Sequence, residues 1–594
     1  MEATMGLRFG HLSLGDVIAQ AETLKTKGEI NEAVRLYQNW IASSGAADRF
    51  VAMFNVGVLL ADLRRDVEAE TAYRGALELA PAFSQARINL GLLLERNGQH
   101  TAAIEQWRQV WEVKQDVPDW MPNACVALNH TGRLHENNKN FEAAEEALYR
   151  SLQLNKKQSD AIQHWYHIRQ KQCKWPADES GGLLTKNEVI GSASPLATMA
   201  ITDDTAIQWL SAANFVSRKF KVEEGRLADG PLTTKEKIRI GYVSGDLCTH
   251  AVGLLMADVI ESHDKSKFET FAFDFSPEDG SAHRQRLKDG FNFFIDIRNM
   301  SDKEAAILIR RCDIDVLFDM HGLSSGARPG IFALRPSDIQ VAYMGYLGTT
   351  AMPWIDYFVT DKYCLTDANQ AHFTERPIVV DGSAVPLLTP KPQEERATKQ
   401  EFGLPKNAVV LGCFNNIYKF TPELVETWSK IVMSEASAML WLLDDNAWAT
   451  ANLKKAFRAH GVPEEKVIFA KRCVHAEYKR RLSAIDIYLD TFPYNAGSTA
   501  WDVLEAGVPM VTLSGRSYMS RVAGSMLTEA GLPELVAQSL PEYSRKITSL
   551  MDPKKAKRVR TKIAKNRSKW SDSAQKVTRS MEREVTKLVL DRRT

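Results

Sequence analysis

The sequence predicts a mixed α and α/β chain in which a solenoid of helical hairpins precedes two lobes, each built on a parallel sheet. Three observations carry this reading. Residues 20 to 158 repeat small and large side chains with a period close to 34. Beyond Lys235, short apolar runs alternate with helical stretches, the pattern of a parallel sheet with crossover helices. A Pro- and charge-rich connector, Leu388-Thr389-Pro390-Lys391-Pro392-Gln393-Glu394-Glu395-Arg396, divides those runs into two groups.

Composition bounds the function classes. The chain has 594 residues, 25% charged and 44% hydrophobic, enough for roughly three or four globular domains. A net charge of +1 gives no reason to expect nucleic acid or an anionic membrane as the main partner. Seven cysteines at 125, 173, 248, 312, 364, 413 and 473 form no CxxC pair, which argues against a zinc site or a disulfide framework. Met1 to Gly10 shows no charged start followed by an apolar core, and no apolar run of about 18 residues occurs, so a cytoplasmic protein is expected.

The repeats come first, over residues 1–158. Gly57, Leu60, Ala69, Tyr73 and Ala76 recur as Gly91, Leu94, Ala103, Trp107 and Val110, and Pro81 closes the first of these copies. This is the spacing of tetratricopeptide helical hairpins, in which small residues let paired helices approach. Ala21, Ala33 and Tyr37 mark an earlier copy. Gly132, His135 and Ala144 mark a later one, after an insertion of about seven residues around Val117-Pro118-Asp119-Trp120-Met121-Pro122. Such a stack exposes a concave face suited to a protein acceptor or peptide. The alternative is a structural cap or a homo-oligomer contact.

Residues 159–235 form a helical linker region, with a helix ending near Pro176 and a Gly-, Ser- and charge-rich loop from Asp178 to Ser194. The first lobe, 236–385, carries strands at Lys237–Ser244, Phe268–Phe273 and Ile314–Asp319. The loops after them, Asp246–His250, Phe275–Gly280 and Asp319–Gly326, are the places where parallel sheets bind ligands. The second lobe, 400–594, has strands at Ala408–Phe414, Ala438–Leu443, Val467–Ala470, Ile485–Asp490 and Val508–Leu513.

The run from Leu489 to Leu504 reads as a buried strand, a small-residue loop and a new helix with Ser498 and Thr499 in its first turn. Free N–H groups and the positive end of the helix dipole attract anions, so a diphosphate fits there without a metal, and Asp502 can then hold a ribose hydroxyl. An ordinary strand-to-helix turn capped by Ser498 would have the same pattern.

Two such lobes with a cleft between them resemble a GT-B glycosyltransferase, a pair of Rossmann-like lobes. The order Asn415-Asn416-Ile417-Tyr418-Lys419, Trp441-Leu442-Leu443, Asp490-Thr491 to Asp502, and Glu505 to Thr512 is similar to the catalytic region of the protein O-GlcNAc transferase and SPINDLY family. Gly241 to Asp246 followed by His250, Gly326-Ala327-Arg328 with Phe332 to Pro336, and Gly345 to Thr349 also stand in that family's order. The resemblance covers roughly residues 235 to 560, and the preceding repeats match the family's layout.

The resemblance implies an inverting transfer of a sugar, UDP-GlcNAc-like, to Ser or Thr of a protein docked on the repeats. It places Lys419 against the donor diphosphate, where a fixed cation stabilises the leaving group, with Asn416 beside it. It gives the backbone at Cys473 the base edge, packs Tyr478 on the nucleoside and lays Arg481 beside it. It puts His250 near the sugar and the acceptor hydroxyl, as a base or a positioning group, with His321 as a second candidate facing the cleft. No convincing Asp-x-Asp follows a strand, and Asp444-Asp445 reads as a solvated strand end, so neither a metal nor another cofactor is expected. Animal members carry His-Thr-Thr where this chain has Gly497-Ser498-Thr499, and the histidine often found at the position of Tyr478 is absent. Both departures fall beside the donor. They keep two alternatives open: a flagellin-type transferase using a CMP-nonulosonic acid or another donor, and an inactive repeat scaffold.

Overall fold

The computed structural model describes residues 12–112, 119–220, 225–228, 235–391 and 395–593. The readings of Met1 to Gly10, of Val117-Pro118 in the insertion and of Pro392-Gln393-Glu394 in the connector lie outside them. The chain divides into two compact units, residues 1–168 with 180–184, and residues 169–179 with 185–594.

The first unit contains four helical hairpins: Leu14–Thr26 with Ile30–Ser43, Arg49–Asp62 with Asp66–Leu79, Ser84–Arg96 with His100–Glu112, and Trp120–Asn137 with Phe141–Leu154. The repeated small residues are explained by what faces them. A Cβ built on Gly57 would lie 2.6 Å from the Tyr73 ring, and one on Gly132 would lie 2.6 Å from Leu148 Cγ. Gly91 meets the Trp107 indole in the same way, and that ring donates to Ile88 O at 3.2 Å. Three of the four copies therefore seat their large residue directly on the glycine of the partner helix, and the faces so joined contribute to the unit's buried core.

The second unit holds both sheets. The first comprises β1 (Ile238–Ser244), β2 (Phe268–Asp274), β3 (Phe293–Asp296), β4 (Val316–Asp319), β5 (Ile339–Ala342), β6 (Tyr357–Asp361) and β7 (Arg376–Val380). Its order is β3-β2-β1-β4-β5-β6-β7, and every pairing is parallel. The second comprises β8 (Val409–Cys413), β9 (Ala438–Asp444), β10 (Val467–Lys471), β11 (Ile487–Leu489), β12 (Met510–Leu513) and β13 (Val536–Ala537), in the order β10-β9-β8-β11-β12-β13, again parallel. β4, β5 and β6 are buried at every position, as parallel strands covered on both faces must be. The fold matches the predicted pair of Rossmann-like lobes, while β3, β5, β6, β7 and β13 went unread in the sequence.

Two segments tie the lobes together. The stretch Asp178–Ser194, read as a loop, contains the helix Lys186–Ser192, opened by a capping box in which Thr185 and Glu188 satisfy each other's backbone N–H. Beyond it, Asp203 accepts from Ser517 N at 2.8 Å and Thr205 Oγ1 lies 2.9 Å from His372 Nδ1, so this region braces both lobes. The final helix, Ser573–Arg593, leaves the second lobe and lies on the first. Ser573 Oγ accepts from Leu387 N at 3.1 Å, Ser580 Oγ accepts from Asp381 N at 2.9 Å, and Val577, Met581, Val585 and Val589 are buried.

Replacing Gly57 by Ala tests the glycine-on-ring packing. The methyl group clashes with a buried ring, so thermal unfolding monitored by circular dichroism should show the variant about 1–3 kcal/mol less stable, despite alanine's better helix propensity.

Candidate active site

Each sheet reverses its strand order once, between β1 and β4 and between β8 and β11, and ligands bind parallel sheets at such points, beyond the carboxyl ends of the strands. A cavity of about 630 Å³ opens there, within the usual range for small-molecule sites. It is lined by His250, Asn416, Lys419, Cys473, Tyr478, Arg481, Gly497, Ser498, Thr499 and Asp502, so of the catalytic and donor-binding candidates singled out in the sequence the fold gathers all but His321.

The loop after β1 brings His250 to the N-cap of the helix Ala251–Glu261. Its side chain is 49% exposed, and Nδ1 lies 3.4 Å from Asp246 Oδ2. The loop is anchored from below, where buried Arg284 donates to Leu247 O and to Asp274 Oδ2, both at 2.7 Å. His321 does not face the cleft. Asp319 Oδ1 accepts from His321 N at 2.9 Å and Gly322 N at 3.0 Å, which folds the turn inward. The ring is buried, with Nε2 accepting from Gly245 N at 2.8 Å and Nδ1 3.1 Å from Ser324 Oγ. It is a structural support for the β1 loop.

In the second lobe β8 ends at Cys413, and a tight turn, Ile417–Lys419, carries Lys419 inward. Far from being a solvated surface lysine, Lys419 is 9% exposed. Its Nζ donates to Asn495 O at 3.1 Å and stands 3.8 Å from the centroid of the Tyr494 ring. Among the described residues no carboxylate lies within ion-pair distance of it. Burial, opposed only in part by the field of Asp490, lowers its pKa to about 8.

Asp490, at the end of β11, organises the loop that faces Lys419. It is buried and accepts from Thr491 N and Ala496 N at 2.8 Å, Thr512 Oγ1 at 2.6 Å and Asn415 Nδ2 at 3.2 Å. Burial raises its pKa to about 6 despite these donors. The loop it shapes ends at Gly497, the N-cap of the helix Ser498–Glu505, where no side chain caps the helix. Ser498 is the first helical residue rather than the cap, so the first turn of this helix lines the cavity with no side chain capping its N–H groups. A Cβ on Gly497 would meet nothing within 4 Å, and this side of the cavity is open.

The other sequence-predicted residues line the same cavity. Tyr478 is largely buried, its hydroxyl set against Asp502 and Thr499. Asp502 Oδ1 is 3.6 Å from Lys479 Nζ, and burial raises its pKa to about 6. Arg481 bonds Glu477 at 2.5 Å and the carbonyl of Lys471, which lays its side chain flat along the wall. Cys473 is half-buried, and Asn416 Oδ1 accepts from Arg472 Nη2 at 3.1 Å near the mouth. The sequence reading assigned no role to Asp490, Tyr494 or His475. The last two line the cavity, and a search for aromatic and titratable residues within the motifs already quoted would have found Tyr494.

A family model described as Glycosyl transferase family 41 matches residues 221–381 and 391–579. The chain belongs to glycosyl transferase family 41. A tetratricopeptide repeat model matches residues 68–116. Among family-41 relatives, the probable UDP-N-acetylglucosamine--peptide N-acetylglucosaminyltransferase SEC of Arabidopsis thaliana is 35% identical over 326 residues, 53% of this chain and 33% of that protein. The corresponding Caenorhabditis elegans enzyme is 25% identical over an alignment of 421 residues, 52% of this chain and 37% of that protein. The chain thus spans about a third of the length of the curated relatives it matches. A mutant form of the Thermobaculum terrenum O-GlcNAc transferase superposes with a TM-score of 0.65 at 25% identity, covering 91% of this chain and 98% of that one. The resemblance to O-GlcNAc transferases and SPINDLY proteins is therefore a matter of shared family and shared fold. No helix among the described residues is long and apolar enough to cross a membrane, and none of their His, Cys, Asp and Glu side chains group to hold a metal ion.

An unpaired buried ammonium is costly to the fold. Between about pH 8 and the ordinary lysine value of 10.5, the unfolded chain holds a proton that the folded chain has lost, so stability rises with pH in that window. Lys419→Met should flatten that slope and raise ligand-free stability by roughly 1–3 kcal/mol near neutral pH. Differential scanning fluorimetry of both proteins across pH measures this directly.

Proposed function

We propose that this chain is an inverting protein O-glycosyltransferase that moves a sugar from a nucleotide-sugar donor to Ser or Thr hydroxyls of an acceptor docked by the repeats. One observation carries the reading. A buried lysine with no carboxylate among the described residues within ion-pair distance and the uncapped N-terminus of Ser498–Glu505 face one cavity at the switch point of the second sheet. Both are positive, both are preorganised, and a diphosphate is the anion that suits the pair.

The acceptor hydroxyl oxygen attacks the anomeric carbon from the face opposite the diphosphate. The bond between that carbon and the diphosphate oxygen breaks, and the leaving group departs with the electron pair. Lys419 and the N–H groups of Ser498 and Thr499 stabilise the charge that develops, taking the part a metal cation plays in other transferases. His250 at the cavity mouth takes the hydroxyl proton, and Asp246, 3.4 Å from its Nδ1, supports the resulting imidazolium. Asp502 suits a ribose hydroxyl, and Tyr478, Arg481 and the Cys473 backbone suit the nucleoside. The relatives carry UDP-N-acetylglucosamine in their names, which favours that donor over the CMP-linked alternative.

Binding of UDP-, GDP- and CMP-sugars to the purified protein, measured by calorimetry with Lys419→Ala as control, tests the donor. UDP-GlcNAc should bind and the variant should lose it; binding of no nucleotide sugar would overturn the reading. Lys419→Ala should lower transfer about a hundred- to a thousandfold, on the scale of a lost electrostatic contact to a leaving group. Because the ammonium form of Lys419 acts, kcat/KM should fall above about pH 8. Removal of residues 1–158 should weaken transfer to protein far more than donor hydrolysis, and equal loss of both would remove the docking role.

A further inference from the structure

We propose that Tyr494 is a positioning residue of this site, whose ring face carries the Lys419 ammonium and fixes it beside the first turn of Ser498–Glu505. The inference rests on the diphosphate role given to Lys419 above.

The ammonium nitrogen stands 3.8 Å from the ring centroid, within the range of a cation–π contact, and spends one donor on Asn495 O at 3.1 Å. The ring is itself held. Thr491 Oγ1 donates to Tyr494 O at 2.6 Å on one side of the loop, and Asp490 holds Ala496 N at 2.8 Å on the other. Tyr418 packs edge-on behind it, with centroids 6.0 Å apart and planes at 79°. The loop that presents the ring therefore also presents the helix N-terminus, and one set of hydrogen bonds sets the distance between the two positive elements.

The choice of an aromatic has a chemical reason. A carboxylate against Lys419 would hold it equally well but would cancel the charge that the leaving group requires. A ring face attracts the cation through its quadrupole and leaves the net charge at +1. The other groups facing Lys419 are Asp490 and Cys413 at the strand ends, which act on it through their fields without an ion pair. The ring offsets part of the desolvation that pushes the lysine down to about 8.

Kinetics across pH decide the assignment. Tyr494→Leu should lower kcat/KM about tenfold, the weight of a desolvated cation–π contact, and move its alkaline limb to lower pH. Tyr494→Phe, which keeps the ring, should cost threefold or less and leave the limb in place. A series of fluorinated phenylalanines at 494 weakens the quadrupole at nearly constant volume, and kcat/KM should fall with each added fluorine. That series decides the matter even if the leucine variant fails to fold. Equal behaviour of the Leu and Phe variants, or a flat fluorinated series, overturns the proposal. Full activity in Lys419→Ala would instead overturn the diphosphate reading and this inference with it, whereas an inactive Lys419→Ala with a flat series overturns the Tyr494 assignment alone.

Discussion

Burying an ammonium without a carboxylate against it costs free energy, and a fold accepts that cost only where the surroundings hold the charge in place. Lys419 is in that position. A turn after β8 pushes it inward, a carbonyl and a ring face receive it, and Asp490 supplies a field from the end of β11 without touching it. The arrangement depends on Asp490, whose hydrogen bonds to Thr491, Ala496, Thr512 and Asn415 give the facing loop its shape. The same loop ends in the uncapped helix at Ser498. Positive potential is thus concentrated at one point by groups that cannot relax away from it, and this preorganisation is what a departing diphosphate needs.

Sheet topology puts that point where a second lobe can use it. In each sheet the strand order reverses beside the strand that comes first in the chain, so the loops after β1 and after β8 and β11 reach one cavity. Lobes that met only at a cleft would leave the spacing of His250 and Lys419 to a single connector. The final helix prevents this, because Ser573 and Ser580 bond the first lobe's backbone and Glu582 receives His263 at 3.0 Å. The helical region before β1 adds a second tie through Asp203 and Thr205. In the solenoid the recurring constraint is smaller in scale: in three of the hairpins, a glycine on one helix receives a large side chain of its partner.

Much of this was legible in the sequence, for identifiable reasons. The hairpins could be read because Gly57, Gly91 and Gly132 recur in register with the residues that sit on them. β1, β2, β8 and β9 could be read because each is a run of five to seven residues, buried along most of its length. β3 is a four-residue, largely exposed edge strand, β13 has only two residues, and β7 contains Pro377, so none carries a clear apolar signal. His321 misled because a histidine in a Gly-rich loop after a strand has the same pattern whether it faces the cleft or supports the loop beneath it.

The sequence alone determined the repeat unit, the two α/β lobes and most of the residues that line the cavity, because periodicity and strand-loop-helix order are local properties of the chain. It also determined that Ser498 and Thr499 open a helix. Only the tertiary structure decided that Gly497 leaves this helix uncapped, that Lys419 is buried without an anionic partner, and that Tyr494 lies beneath it. Burial and pairing depend on which strand ends meet. β8 and β11 are neighbours in space but are separated in the chain by two strands and their helices, so no local pattern reports what one places against the other.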